Sequence, residues 1–285
     1  MATLATWLKQ HLWAAFLAHQ AGILIIGLVF LSTVRRLTGR SIHQGRDPVG
    51  IGDGAALILL SIAVILLTRF FYHWVKGKND APLGISLSPR RLLDLLIGLS
   101  AGFAFIIAPW VFALWLGTAS IYDRITAHFD SLSVARILTV AFLLLLSQGI
   151  LEETTNRAFP MRLWEHRSLA FRIIVPAIFF VAIHLPTEPF GFERVGVLFM
   201  AGVLQGIAYA LTGNIWLSSG VHTGANLASF APTGLWHAGA VVALIGQPTI
   251  PNWLAVMITL TVFSVTFALL RLYRGKSQPL SMGAG

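Results

Sequence analysis

The sequence predicts an all-α fold: a polytopic membrane protein built as a bundle of about eight transmembrane helices. Three observations carry this reading. Of the 285 residues, 56% are hydrophobic, and about 160 apolar side chains suffice for about eight spans at roughly 20 residues each. Only 11% are charged, against about 25% in ordinary soluble domains. Mean hydropathy is +0.78. Such a chain lacks the polar surface to cover a soluble core, which sets aside soluble, disordered and fibrous proteins. Cysteine is absent, so disulfide scaffolds, thiolate metal sites and cysteine nucleophiles are excluded.

The apolar runs follow one another with polar punctuation. The first spans 12–32 and is followed by two arginines, Arg35 and Arg36, rather than by a small-residue cleavage site, so it reads as a retained span. The second covers 54–72 and the third 92–116, with Arg90 and Arg91 before it. The fourth, 134–158, begins purely apolar, ends in a polar cluster and stops at Pro160. The fifth, 171–185, is closed by Pro186 and Pro189; the sixth is 195–211. The seventh, 214–230, is less hydrophobic and rich in small residues, and the eighth is 252–272. Residues 235–245 are apolar but too short to span, which suggests a re-entrant or interfacial piece. The spacings Gly202-x3-Gly206 and Gly220-x3-Gly224 place small residues on one face of runs six and seven, where they permit close helix approach. The whole chain, 1–285, reads as a single transmembrane domain, without internal repeat or low-complexity tract.

Twenty Lys and Arg against eleven Asp and Glu give a net charge of +9. With eight spans both termini share a side, and that side collects thirteen of the twenty basic residues, which puts the termini in the cytoplasm. The first helix points the other way, with Arg35, Arg36, Arg40 and Arg46 after it and only Lys9 before it. No basic patch interleaved with aromatics occurs on a soluble segment, so nucleic acid is not an expected partner.

Charge inside a span is costly, about 3 kcal/mol or more per group, and is retained where it serves a purpose. Asp53 and Asp94 lie near span ends, within reach of water. Glu152 and Glu153 lie well inside the fourth run. On a helix Glu153 and Arg157 stand at i and i+4 and can pair; Glu152 points about 100° away and is free for another partner. Most of the nine histidines fall near loops. His19 sits in the first run as a candidate hydrogen-bonder within the bundle. His184 and His222 fall inside runs five and seven, the first one turn beyond Phe180, the second one turn before Asn226.

A carboxylate in a low-dielectric pocket can act as a general base near neutral pH. Imidazole and amide N–H groups can stabilise the oxyanion of a tetrahedral intermediate. Together they suit peptide hydrolysis without a covalent intermediate. One carboxylate and two histidines also make a reasonable open zinc site, although no H-E-x-x-H is present. Serine chemistry has no G-x-S-x-G behind it; Ser218 and Ser219 near His222 are a weak hint.

Glu152-Glu153-x3-Arg157, Phe180-x3-His184 and His222-x3-Asn226, in this order, resemble the CAAX protease and bacteriocin-processing (CPBP, or Abi) family of intramembrane peptidases over about residues 134–230. The resemblance implies an eight-helix bundle with an intramembrane catalytic cavity. It implies Glu152 as the base that activates water with His184 assisting, and His222 and Asn226 as the oxyanion pair. Glu153, Arg157 and Phe180 would hold the geometry. It further implies a glutamate-type, metal-independent endopeptidase with no cofactor, zinc being the alternative. The partners implied are a membrane-associated protein or peptide substrate and the lipid bilayer; the absence of cysteine and the compact loops suggest a bacterial inner membrane. The sequence departs from the family at Thr154, Thr155, Asn156 and Ala158, where apolar residues and a glycine are usual. Two other readings stand beside this one: a non-proteolytic scaffold or immunity regulator of the same fold, and a proton-coupled transporter. The latter lacks the inverted repeat that many transporters carry.

Overall fold

The computed structural model describes residues 2–38, 51–77, 82–118, 120–121, 131–185, 191–233, 244–245 and 252–274. Each of the eight apolar runs lies on a helix. These are α2 (Leu12–Thr38), α3 (Ile51–Lys76), α4 (Pro89–Trp115), α5 (Ser131–Glu153), α7 (Leu169–His184), α8 (Phe192–Thr212), α9 (Ile215–Thr233) and α10 (Asn252–Arg274). A short helix, α1 (Ala2–Gln10), precedes them, and α5 continues through a π turn (Thr154–Ala158) into α6 (Phe159–Leu163). The only β pairing among the described residues joins Ser120–Ile121 to Leu244–Ile245, antiparallel. The rest of the proposed interfacial piece, 235–243, lies outside the described residues.

Among the described residues, five helical stretches are long and apolar enough to cross a membrane: 12–34, 55–76, 89–115, 138–163 and 194–212; Leu169–His184 and Leu260–Tyr273 are apolar but shorter. Large apolar side chains on their outer faces, such as Leu24, Leu28, Leu66 and Phe70, are exposed, as lipid-facing residues must be. The chain is an integral membrane protein on this basis. The seventh run departs from the rest for a physical reason. Helix α9 is buried nearly throughout, between α4 on one side and α5 and α8 on the others. A helix surrounded by protein has no lipid to match, so it can carry Ser, Thr, His and Asn.

Glycine sets how close α9 comes. A Cβ built on Gly220 or Gly224 would fall on the carbonyls of Leu95 and Leu99, and one on Gly98 or Gly102 of α4 on those of Leu217 and Val221. The two GxxxG faces meet backbone to backbone, an approach driven by van der Waals packing rather than by the hydrophobic effect. On α8, Gly202 and Gly206 instead receive Ala177 and Ile173 of α7, each 3.1 Å from an added Cβ. The α8–α9 turn is closed by Gly213 in the left-handed region (φ 63°) and by Asn214 Oδ1, which accepts from Trp216 N at 2.9 Å.

Asp94 differs from its expected place at the water. It is 1% exposed, accepting from Asn214 Nδ2 at 3.2 Å and from Tyr273 Oη at 3.0 Å. Position near a helix end says nothing about what packs over that end, and here α9 and α10 cover it. The side chain of Asp53 lies outside the described residues.

Candidate active site

The π turn arises from Pro160. A proline has no N–H and its ring collides with the carbonyl one turn earlier, so the α register cannot run through it undisturbed. The chain takes one extra residue, and Phe159 N bonds Thr154 O, five residues back. Such single π turns are frequent at functional sites. Here the turn follows Glu152 and Glu153 directly and carries Arg157. Two carbonyls face the missing donor, Asn156 O in the α register and Thr155 O in the π register. Side chains supply both: Arg157 Nη1 bonds Asn156 O at 2.9 Å, and Gln20 Nε2 of α2 bonds Thr155 O at 3.2 Å.

Arg157 is fully buried, and a buried cation must be paired and hydrogen-bonded. Its Nε lies 3.8 Å from Glu153 Oε2, its Nη2 donates to Gln205 Oε1 of α8 at 2.6 Å, and its Cζ sits 4.7 Å above the Phe180 ring. The spacing foresaw the Glu153 contact. It missed Gln205, because a lone glutamine on an apolar run carries no pattern that names its partner.

The strongest bond of Glu153 is to another helix. His222 Nδ1–H donates to Glu153 Oε1 at 3.0 Å, and His222 Nε2 lies 3.7 Å from Glu152 Oε2. One imidazole therefore stands between the two neighbouring carboxylates. Glu152 is also held from its own helix, its Oε1 accepting from Gln148 Nε2 at 2.7 Å. Gln148 was another residue that sequence reasoning passed over, although its i, i+4 spacing to Glu152 was visible. Glu152 Oε2 is shielded from solvent and accepts no hydrogen bond.

Phe180 joins the remaining histidine to this cluster. Its ring centroid is 4.4 Å from that of His184 and 5.9 Å, edge-on, from that of His222. His184 Nδ1–H donates to Phe180 O at 2.7 Å, which leaves Nε2 as the basic nitrogen. Asn226 follows His222 by one turn of α9 and is half-buried; it forms no hydrogen bond among the described residues. Ser218 donates to Ile215 O at 3.0 Å, while Ser219 Oγ is buried without a partner.

Exposure grades across the cluster. The Glu153 and Arg157 side chains are at 0%, His222 at 4% and Glu152 at 14%; His184 and Asn226 are half-buried and Gln148 is exposed. The closed end is a charged, hydrogen-bonded floor, and Glu152 is the carboxylate nearer the open side. Among the described residues no three His, Asp or Glu side chains are grouped to hold a metal ion.

Residues 134–228, about a third of the chain, match the family model described as type II CAAX prenyl endopeptidase Rce1-like. The match covers α5 through most of α9 and bears out the resemblance drawn from the three motifs; it supports a protease. All seven motif residues fall inside it, whereas α1 to α4 and α10 lie outside. No curated protein and no solved structure matches the chain.

Proposed function

We propose that the chain is an intramembrane endopeptidase of the glutamate type, with Glu152 as general base. The observation that carries this reading is the placement of His222 between Glu153 and Glu152 (3.0 and 3.7 Å). Glu153 fixes the imidazole through Nδ1–H, so that Nε2 is aimed at the side where Glu152 has an unused oxygen. Glu152 Oε2, closed to solvent in the substrate-free protein, is the acceptor offered to a water that enters with the substrate, at about 2.8 Å.

In this scheme Glu152 takes a proton from the water as its oxygen attacks the scissile carbonyl. His184, whose Nδ1–H is held by Phe180 O, assists that transfer through Nε2. The oxyanion forms on the His222 side, where His222, as the imidazolium held between the two carboxylates, donates through Nε2–H beside the Asn226 amide; one such donor contributes about 3 kcal/mol to catalysis. Glu152 then passes the proton to the departing amine as the C–N bond breaks. No metal enters these steps. The substrate class suggested by the family description is a protein or peptide with a prenylated C-terminal cysteine motif, presented from the membrane. The termini face the cytoplasm of a bacterial inner membrane.

The test is cleavage of a membrane-tethered peptide substrate by wild type and Glu152→Ala in liposomes. Loss of cleavage in the variant supports the reading, and equal cleavage by both ends it.

A further inference from the structure

The motif segment accounts for the groups at the site but not for what holds their backbone. We infer that His19 and Gln20 of α2 are positioning residues that clamp the π turn, and that through it they set the alignment of Glu152 and Arg157. The inference rests on the endopeptidase reading for its consequence and on the geometry for its mechanism.

The buried carbonyl of Thr155 has no backbone donor in the π register, because the residue due to supply one is Pro160. A buried, unpaired carbonyl is costly, and Gln20 Nε2 meets it at 3.2 Å. The neighbouring His19 is 4% exposed, and its ring stacks on Phe159, the residue that closes the π turn, at 3.9 Å between centroids and 25° between planes. That ring is fixed in turn from α3. Thr68 Oγ1 donates to Val64 O at 2.8 Å, so it accepts from His19 Nε2–H at 3.0 Å. The π turn is thus gripped at its backbone and at its last ring by consecutive residues of one helix. Aromatic packing of Trp13 and Phe16 on Trp164, at 4.7 and 4.9 Å, seats that helix against the stretch that follows the turn.

The register matters because the turn directly follows the two glutamates and carries Arg157. Relaxation of the turn by one residue rotates the chain beyond it by about 100° relative to Glu153 and shifts Arg157 within it. That withdraws Arg157 from Gln205 and from the Phe180 ring, and catalytic groups tolerate only small displacements. A plain packing role for α2 predicts something different: a loss of stability spread over the bundle, with turnover per folded molecule unchanged.

The experiment uses full-length protein in lipid nanodiscs: wild type, Gln20→Leu, His19→Ala, His19→Phe and Glu152→Gln. Kinetics are read on a fluorogenic prenylated-cysteine peptide, and backbone hydrogen exchange is followed separately. Gln20→Leu is expected to lower kcat about tenfold with KM unchanged, the scale of one hydrogen bond. Exchange is expected to rise in 154–163 and not in α9. His19→Ala should behave likewise, and His19→Phe, which keeps the stacked ring, should recover most of the loss. Unchanged kcat and unchanged exchange overturn the inference. So does exchange raised evenly over all helices, or an His19→Phe variant no better than His19→Ala. If wild type leaves the peptide intact, or Glu152→Gln cuts as fast as wild type, the endopeptidase reading fails, while the exchange comparison still decides the clamp.

Discussion

His222 Nδ1 lies 3.0 Å from Glu153 Oε1, across the contact between α9 and the end of α5. This bond ties a histidine of one helix to the carboxylate that also neighbours Arg157, and it makes Glu153 the hub of a buried group of charges. Removal of one member of such a group leaves the others uncompensated, typically at about 3–5 kcal/mol. Glu153→Ala is therefore expected to destabilise the protein more than Glu152→Ala, whose carboxylate is partly open. The combination of Glu153→Ala with Arg157→Met should recover part of the loss. Thermal unfolding in detergent, arranged as a double-mutant cycle, reads this; an additive cycle contradicts the hub.

Gln205 gives a second expectation. Its Oε1 takes Arg157 Nη2 at 2.6 Å inside a closed space. In Gln205→Leu the guanidinium loses an acceptor with no water to replace it, a cost of about 1–3 kcal/mol. Gln205→Glu keeps an oxygen in reach and is expected to retain most of the stability. A leucine variant as stable as wild type would mean that the bond carries no net energy.

Chelation separates the two chemistries that the donor set first allowed. Cleavage by purified protein is expected to be unchanged by EDTA or 1,10-phenanthroline, because water activation is assigned to Glu152 with His184 assisting and not to a metal ion. Inhibition that zinc reverses would transfer that task to a metal ion.

Much of this site was legible in the chain, and the parts that were not share a cause. Glu152, Glu153, Arg157, His184 and His222 stood out because a charged or imidazole group in an apolar run has few inexpensive alternatives. The division between a Glu153 that pairs with Arg157 and a Glu152 that points away from that pair followed from helix geometry alone. Gln148 and Gln205 did not stand out, since a neutral amide is tolerated in many settings and its role depends on what packs opposite. Pro160 was read as the end of a span, yet the chain passes through it by a π turn, because Arg157 and Gln20 satisfy the carbonyls that the proline abandons. Asp94 was misplaced for a related reason: its distance from the helix end was visible, but the cover of Asn214 and Tyr273 was not.

The α4–α9 seam supplies the last expectation. The sequence showed Gly220-x3-Gly224, and the structure supplies its partner, Gly98-x3-Gly102, whose Cα atoms leave no room for a Cβ on either side. Gly220→Ala or Gly102→Ala places a methyl group on a backbone carbonyl that no rotamer change can move aside. Such overpacking costs about 1–3 kcal/mol or more, and it displaces α9, which carries His222. Both folded yield and cleavage are expected to fall. Gly22→Ala is the matched control, since nothing lies within 4 Å of a Cβ there and alanine is favoured over glycine in a helix by about 1 kcal/mol. That variant should be at least as stable as wild type and cleave at the same rate. If the seam variants behave like the control in thermal unfolding and cleavage assays, the backbone-to-backbone approach of α4 and α9 is not what holds His222 in place.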